Sequence, residues 1–178
     1  MVAAPVSTKE VEAFRRFVTL LPHGKDLILV ILKGHLLIEE QLRQIVDEHV
    51  KKPEALAMAH LNCFQVICLA EAFCSDRAAP WVWKALRNLN SLRNDTAHNI
   101  EPKRFQQRIE SIVWTVGENS IFAGSGFGDS NEQTRFELCL WVLFTSVAAL
   151  VERPVAFVLR LVATDPHAAL SLQETPLK

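Results

Sequence analysis

The stretch from Asp26 to Lys51 constrains the fold more than any other part of the chain. Leu27, Ile31, His35, Ile38, Leu42, Ile45 and His49 recur three or four residues apart, which sets them along one stripe of a helix. Glu39, Glu40, Arg43, Asp47 and Glu48 fall off that stripe. A long helix that is apolar on one side needs other elements to cover it. Gly34 lies inside it, where glycine costs about 1 kcal/mol relative to alanine, so a close helix crossing is expected there. His35 sits on the apolar stripe and is expected to be a hydrogen-bonded core residue.

The remaining segments supply further helices. Ser7-Thr8-Lys9-Glu10 has the form of a capping box. It opens a first helix through Val11, Phe14, Phe17, Val18 and Leu21, which Pro22-His23-Gly24 stops. A third helix is expected from Pro53 to Cys74, with Leu56, Ala59, His60, Cys63, Ile67 and Ala70 facing inward. Pro80 opens a fourth, carrying Trp81, Val82, Ala85, Leu86, Leu89 and Leu92 on its apolar side. A fifth follows from Phe105 to Val116 and a long sixth from Asn131 to Val151. Beyond Pro154 a helical piece reaches Thr164, Asp165-Pro166 opens a short terminal helix, and the last residues fray. No run alternates with period two. The expected fold class is therefore all-α, a bundle of about five or six helices with antiparallel neighbours. Residues 1–178 are expected to form a single domain with its core over 7–164 and a partly flexible C-terminal tail.

Composition narrows the function classes. Hydrophobic residues make up 49% of the 178 and charged residues 22%, the balance of a globular core rather than a disordered chain. The net charge of −1 excludes a protein that coats nucleic acid or anionic membrane by bulk electrostatics. Cys63, Cys68, Cys74 and Cys139 make no C-x-x-C pair and have no histidine at zinc-ligand spacing. No metal and no cofactor are expected, and free thiols fit a reducing, cytoplasmic compartment. The first ten residues lack the charged start and apolar run of a signal peptide. The apolar run Leu138–Val151 is shorter than the roughly 18–20 residues a membrane span requires, so a buried core helix is expected and no membrane contact. Gly124-Ser125-Gly126-Phe127-Gly128 follows no strand and has neither a dinucleotide fingerprint nor a P-loop lysine.

The chemistry concentrates in Leu92-Arg93-Asn94-Asp95-Thr96-Ala97-His98-Asn99. Asn94 and His98 share a helix face, but Arg93 and His98 lie about 140° apart around the axis. One straight helix does not bring them together well: either the long arginine side chain wraps round, or two copies meeting across a symmetric interface bring both to one cleft. Such a group suits phosphodiester cleavage without metal. The imidazole moves protons to and from a ribose 2′-hydroxyl and the leaving oxygen, and the guanidinium fork binds phosphate oxygens. Asn94 orients the phosphate or the imidazole. Around the motif, Lys84, Arg87, Arg93, Lys103, Arg104 and Arg108 face two acids, Asp95 and Glu101. That local excess of +4 is a candidate RNA-backbone grip, and equally an ordinary solvated helix face.

Arg93-Asn94-Asp95-Thr96-Ala97-His98 resembles the motif of the HEPN superfamily: an arginine, a polar residue directly after it, and a histidine a few positions on. Arg93, Asn94 and His98 match that pattern position by position. The resemblance implies a helical dimer with a composite cleft at the two-fold axis. It also implies a metal-independent endoribonuclease of the toxin–antitoxin or phage-defence kind, with RNA as substrate and an antitoxin or regulatory protein as partner. Other members of the superfamily are non-catalytic regulators or adaptors acting through protein–protein contact, which is the alternative expectation. One toxin branch carries a tyrosine two residues after the histidine, which its antitoxin modifies. Ile100 stands there in this chain, which contains no tyrosine, so that form of control is not expected.

Overall fold

A computed structural model describes residues 8–99, 101–123, 127 and 130–151. Among these residues the chain is all-helical: α1 Thr8–Leu20, α2 Leu27–His49, α3 Pro53–Met58, α4 Cys63–Cys74, α5 Pro80–His98, α6 Phe105–Asn119 and α7 Glu132–Val151. The segment expected to be helical beyond Val151 lies outside the described residues, as do Ser7, Ile100 and most of the glycine-rich run after Ala123.

The predicted stripe organises the bundle. On α2, Ile31, His35, Ile38, Leu42 and Ile45 are all buried, and the helix packs against α7, α4 and α5. Asp26 caps its start by accepting the Leu29 amide at 3.0 Å. His49, at the far end of the stripe, is exposed instead. Its imidazole stacks on the Phe73 ring of α4 at 5.3 Å.

α7 is the helix apolar nearly all round, with Phe136 to Thr145 buried without interruption. Among the described helices it alone is long and apolar enough to cross a membrane, and 72% of its apolar window is buried inside the bundle. It runs against α2 where Gly34 brings the two backbones close. A Cβ at Gly34 would stand 2.6 Å from Leu140 Cδ1, which accounts for a glycine in the middle of a long helix. Phe17 of α1 stacks on Phe144 at 4.3 Å, and Phe14 meets Trp141 edge-on at 5.5 Å. Glu137 is buried on the same helix. Its carboxylate accepts from the Gly24 amide at 3.1 Å and from Gln133 Nε2 at 2.9 Å, and it contacts His23. These contacts fasten the α1–α2 turn to α7.

The single helix expected over Pro53–Cys74 is two helices. His60 adopts a left-handed backbone with φ 48°, which ends the first. Asn62 and Gln65 then form a reciprocal capping box that starts the second. Ala59 and His60, expected inside, lie in this connection and are exposed. The break brings Cys63 to the first turn of α4 beside α2.

Candidate functional site

α5 carries the motif to its last turn. Pro80 supplies the helix start, where its missing N–H costs nothing. Asn99 closes the end, with its backbone and side-chain amides both donating to the Asp95 carbonyl. Leu89 and Leu92 bury one side of the helix. Asn90, Arg93 and Asn94, spaced three and four residues apart, therefore share the neighbouring side.

That side faces an open cleft of about 520 Å³ at the junction of three helices. α2 contributes His35, Glu39 and Arg43, spaced i, i+4, i+8. The start of α4 contributes Asn62, Cys63 and Phe64, and α5 contributes Asn90, Arg93 and Asn94. His35 Nε2 and Asn90 Oδ1 lie 3.2 Å apart, which meets the expectation of a hydrogen-bonded core histidine. Because Asn90 Oδ1 is an acceptor, the proton sits on Nε2 and the Nδ1 lone pair turns away from it. Nδ1 is buried with no hydrogen-bond partner and stands 3.7 Å from Glu39 Oε2. Glu39 Oε1 is engaged by Arg43, at 3.0 Å from Nε and 2.6 Å from the terminal nitrogen that also donates to the Leu61 carbonyl. Arg93 gives one terminal nitrogen to Asn94 Oδ1 at 3.0 Å, and its buried Nε has no partner. A guanidinium held at a cleft with donors to spare is a ready anion receptor.

The electrostatics follow from burial and from this mixture of charges. His35 is lowered from its ordinary value, first by burial and then by Arg93, against the opposing pull of Glu39 and Asn90. The Cys63 thiol is pushed up to about 12, first by burial and then by Glu39, with Arg43 and Arg93 working the other way. Both groups are therefore neutral near pH 7.

The predicted site residues divide. Arg93 and Asn94 lie together on the cleft. His98, one turn further along, is exposed and is not among the residues lining it, as expected from the angle between them. Of the basic residues expected to hold RNA, Arg108 is paired with Asp95 at 2.6 Å and Arg87 with Glu71 of α4. Lys84, Lys103 and Arg104 are exposed. His35, Glu39, Arg43, Cys63 and Phe64 were not expected at the site. The α2 spacing of the first three is visible in the chain, but spacing hides their meeting with α4 and α5. No family model, no curated protein and no solved structure matches this chain, so its function is argued from its own residues.

Proposed function

We propose that this chain is a HEPN-like, metal-independent endoribonuclease acting in the cytoplasm. Arg93 and Asn94 bind the scissile phosphate, and His98 serves as acid/base across a homodimer. The observation that carries the reading is the placement of Arg93: a half-buried guanidinium with an unpartnered Nε, braced by Asn94, on an open cleft. Phe64 strengthens it. Its ring is 50% exposed at the rim of the same cleft, where a nucleobase would stack. Lys84, Lys103 and Arg104 add exposed positive charge on α5 and just before α6, which favours an RNA backbone over a neutral ligand.

One copy has its arginine and histidine on different sides of α5, so the reaction requires a second copy. The test follows from that requirement. Purified protein is incubated with single-stranded and structured RNA in EDTA, as wild type, Arg93→Ala, His98→Ala and an equimolar mixture of the two variants. Wild type cleaves, each variant alone does not, and the mixture regains cleavage because one composite site keeps an intact arginine and an intact histidine. RNA left whole by folded wild type would overturn the nuclease reading. The position of His98 outside the cleft favours, as second reading, a non-catalytic RNA-binding or adaptor protein. It predicts RNA retention that depends on Arg93 and is indifferent to His98.

A further inference from the structure

We propose that His35, Glu39 and Cys63 form a site for a thiophilic divalent cation of the zinc type in the α2–α4–α5 cleft. The three donors are one imidazole nitrogen, one carboxylate oxygen and one sulfur, and all lie within 4.8 Å of one another. That is the mixed donor set zinc takes. With metal–ligand bonds of about 2.0–2.3 Å, tetrahedral ligand atoms stand roughly 3.3–3.8 Å apart. The Nδ1 to Oε2 separation of 3.7 Å already falls in that range, and the outer limit of 4.8 Å for the whole set is about 1 Å beyond it.

The three side chains are positioned for a metal. His35 is only 3% exposed, yet its Nδ1 has no hydrogen-bond partner and lies 3.7 Å from Glu39 Oε2. A buried nitrogen lone pair left unmatched is costly in a folded interior, and a cation is the occupant that would satisfy it. Asn90 accepts from Nε2 and so orients the ring, the outer-shell arrangement common to metal-binding histidines. Arg43 holds Glu39 through Oε1 alone, which leaves Oε2 on the side of His35. Cys63 is fixed at the first turn of α4 by the Asn62–Gln65 capping box.

Binding balances as follows. The Cys63 S–H bond breaks, its proton passes to solvent, and sulfur, Nδ1 and Oε2 each donate a lone pair to the cation in place of water. The thiolate and Glu39 carboxylate together offset the charge of the divalent ion. Arg43 and Arg93 add positive charge around it, so the remaining coordination position favours an anionic oxygen such as hydroxide or phosphate. This site is independent of the ribonuclease reading, because it is measured without RNA, whereas the cleavage assay is run in EDTA.

The experiment uses full-length, tag-free protein stripped with EDTA and returned to chelator-free buffer. Zinc is titrated against a chromophoric chelator, and cobalt(II) is titrated as a spectroscopic stand-in. Wild type should bind one equivalent, release about one proton per cation at pH 7, and show a thiolate-to-cobalt charge-transfer band with tetrahedral visible absorption. Cys63→Ser should lose that band and weaken binding at least tenfold, Glu39→Gln should weaken it comparably, and Cys68→Ser, at an exposed thiol, should change neither. Circular dichroism confirms that each variant is folded, and the two surface-reaching variants keep the test open if His35→Ala does not fold. Absence of stoichiometric binding in wild type, or an unchanged cobalt spectrum in Cys63→Ser, would overturn the proposal.

Discussion

The hydrogen bond between His35 and Asn90 should be measurable as a coupling between α2 and α5. Both residues are almost fully buried, at 3% and 6% exposure, and their 3.2 Å contact joins helices 55 residues apart in sequence. Asn90→Leu keeps the branched shape of the side chain but removes the acceptor and strands an N–H in the interior. Leaving such a donor unmatched costs about 1–3 kcal/mol. The cleft lets water approach one side of the pair, which places the expected value near 1 kcal/mol. At this chain length that corresponds to a fall in Tm of about 2–4 °C. His35→Leu strands the asparagine amide instead and should cost a similar amount. The double variant removes both polar partners, so its loss should fall short of the sum of the single losses by about 1 kcal/mol. Urea unfolding in EDTA, followed by tryptophan fluorescence and circular dichroism, provides the comparison at constant m. Single variants within 0.3 kcal/mol of wild type (roughly the additivity error of such cycles), or strictly additive losses, would refute the coupling.

The same imidazole makes stability depend on pH. Burial and Arg93 lower His35 below its ordinary value of 6.5, so below that pH the unfolded chain binds a proton that the folded one still refuses. Its contribution is intact above about 6.5 and is lost as pH falls through the window beneath; His23, also lowered by burial, acts in the same direction. In EDTA, urea midpoints should fall between pH 6.5 and pH 5 (a range set by the ordinary histidine value), and His35→Leu should flatten that fall without abolishing the part due to His23. Gly34→Ala places a methyl against Leu140, and overpacking of about 1–3 kcal/mol outweighs the gain in helix propensity of about 1 kcal/mol. Adding Leu140→Val should recover part of the lost stability in thermal melts. Glu137→Ala removes two charge-assisted hydrogen bonds, from Gly24 and Gln133, and should cost about 3 kcal/mol in urea unfolding. Phe64→Ala should weaken single-stranded RNA binding by about 1–3 kcal/mol in fluorescence anisotropy, with no change in Tm because the ring is half exposed.

How far the chain discloses its own fold depends on whether a signal is local or arises from packing. The stripe from Leu27 to Ile45 is legible because burial on one face imposes a 3.6-residue period, and the structure buries its positions from Ile31 to Ile45 and half-buries Leu27. Gly34 is legible because a glycine inside a strong helix needs a steric reason, which Leu140 supplies. The Pro53–Cys74 segment is harder, since apolar residues continue through the break and His60 is not a residue type that announces a left-handed turn. Asn62-x-x-Gln65 is the signal for the second start, a capping box with amide side chains in place of the commoner hydroxyl and acid. Arg93 and Asn94 stand out in the sequence, and the cleft does include them. Nothing along the chain shows that a glutamate and a histidine 55 or so residues earlier would face them, because that pairing is set by how α2, α4 and α5 cross.

The division of the motif across α5 gives the cleft its chemical meaning. Arg93 and Asn94 share it with a neutral imidazole, a carboxylate already half-claimed by Arg43, and a thiol pushed up to about 12. Within one copy, His35 Nε2 is committed to Asn90, Glu39 Oε1 to Arg43, and Cys63 keeps its proton near pH 7. On the proposed ribonuclease reading, the proton transfers would be supplied by a second copy's His98, or in its place by a cation at the proposed His35, Glu39 and Cys63 site. The two sources leave different signatures. Cleavage by a dimeric His98 survives EDTA and is restored by mixing Arg93→Ala with His98→Ala. Cleavage assisted by a cation is abolished by EDTA, falls in Cys63→Ser, and is indifferent to His98→Ala. Running Cys63→Ser and His98→Ala side by side, with and without zinc, assigns the reaction to one source.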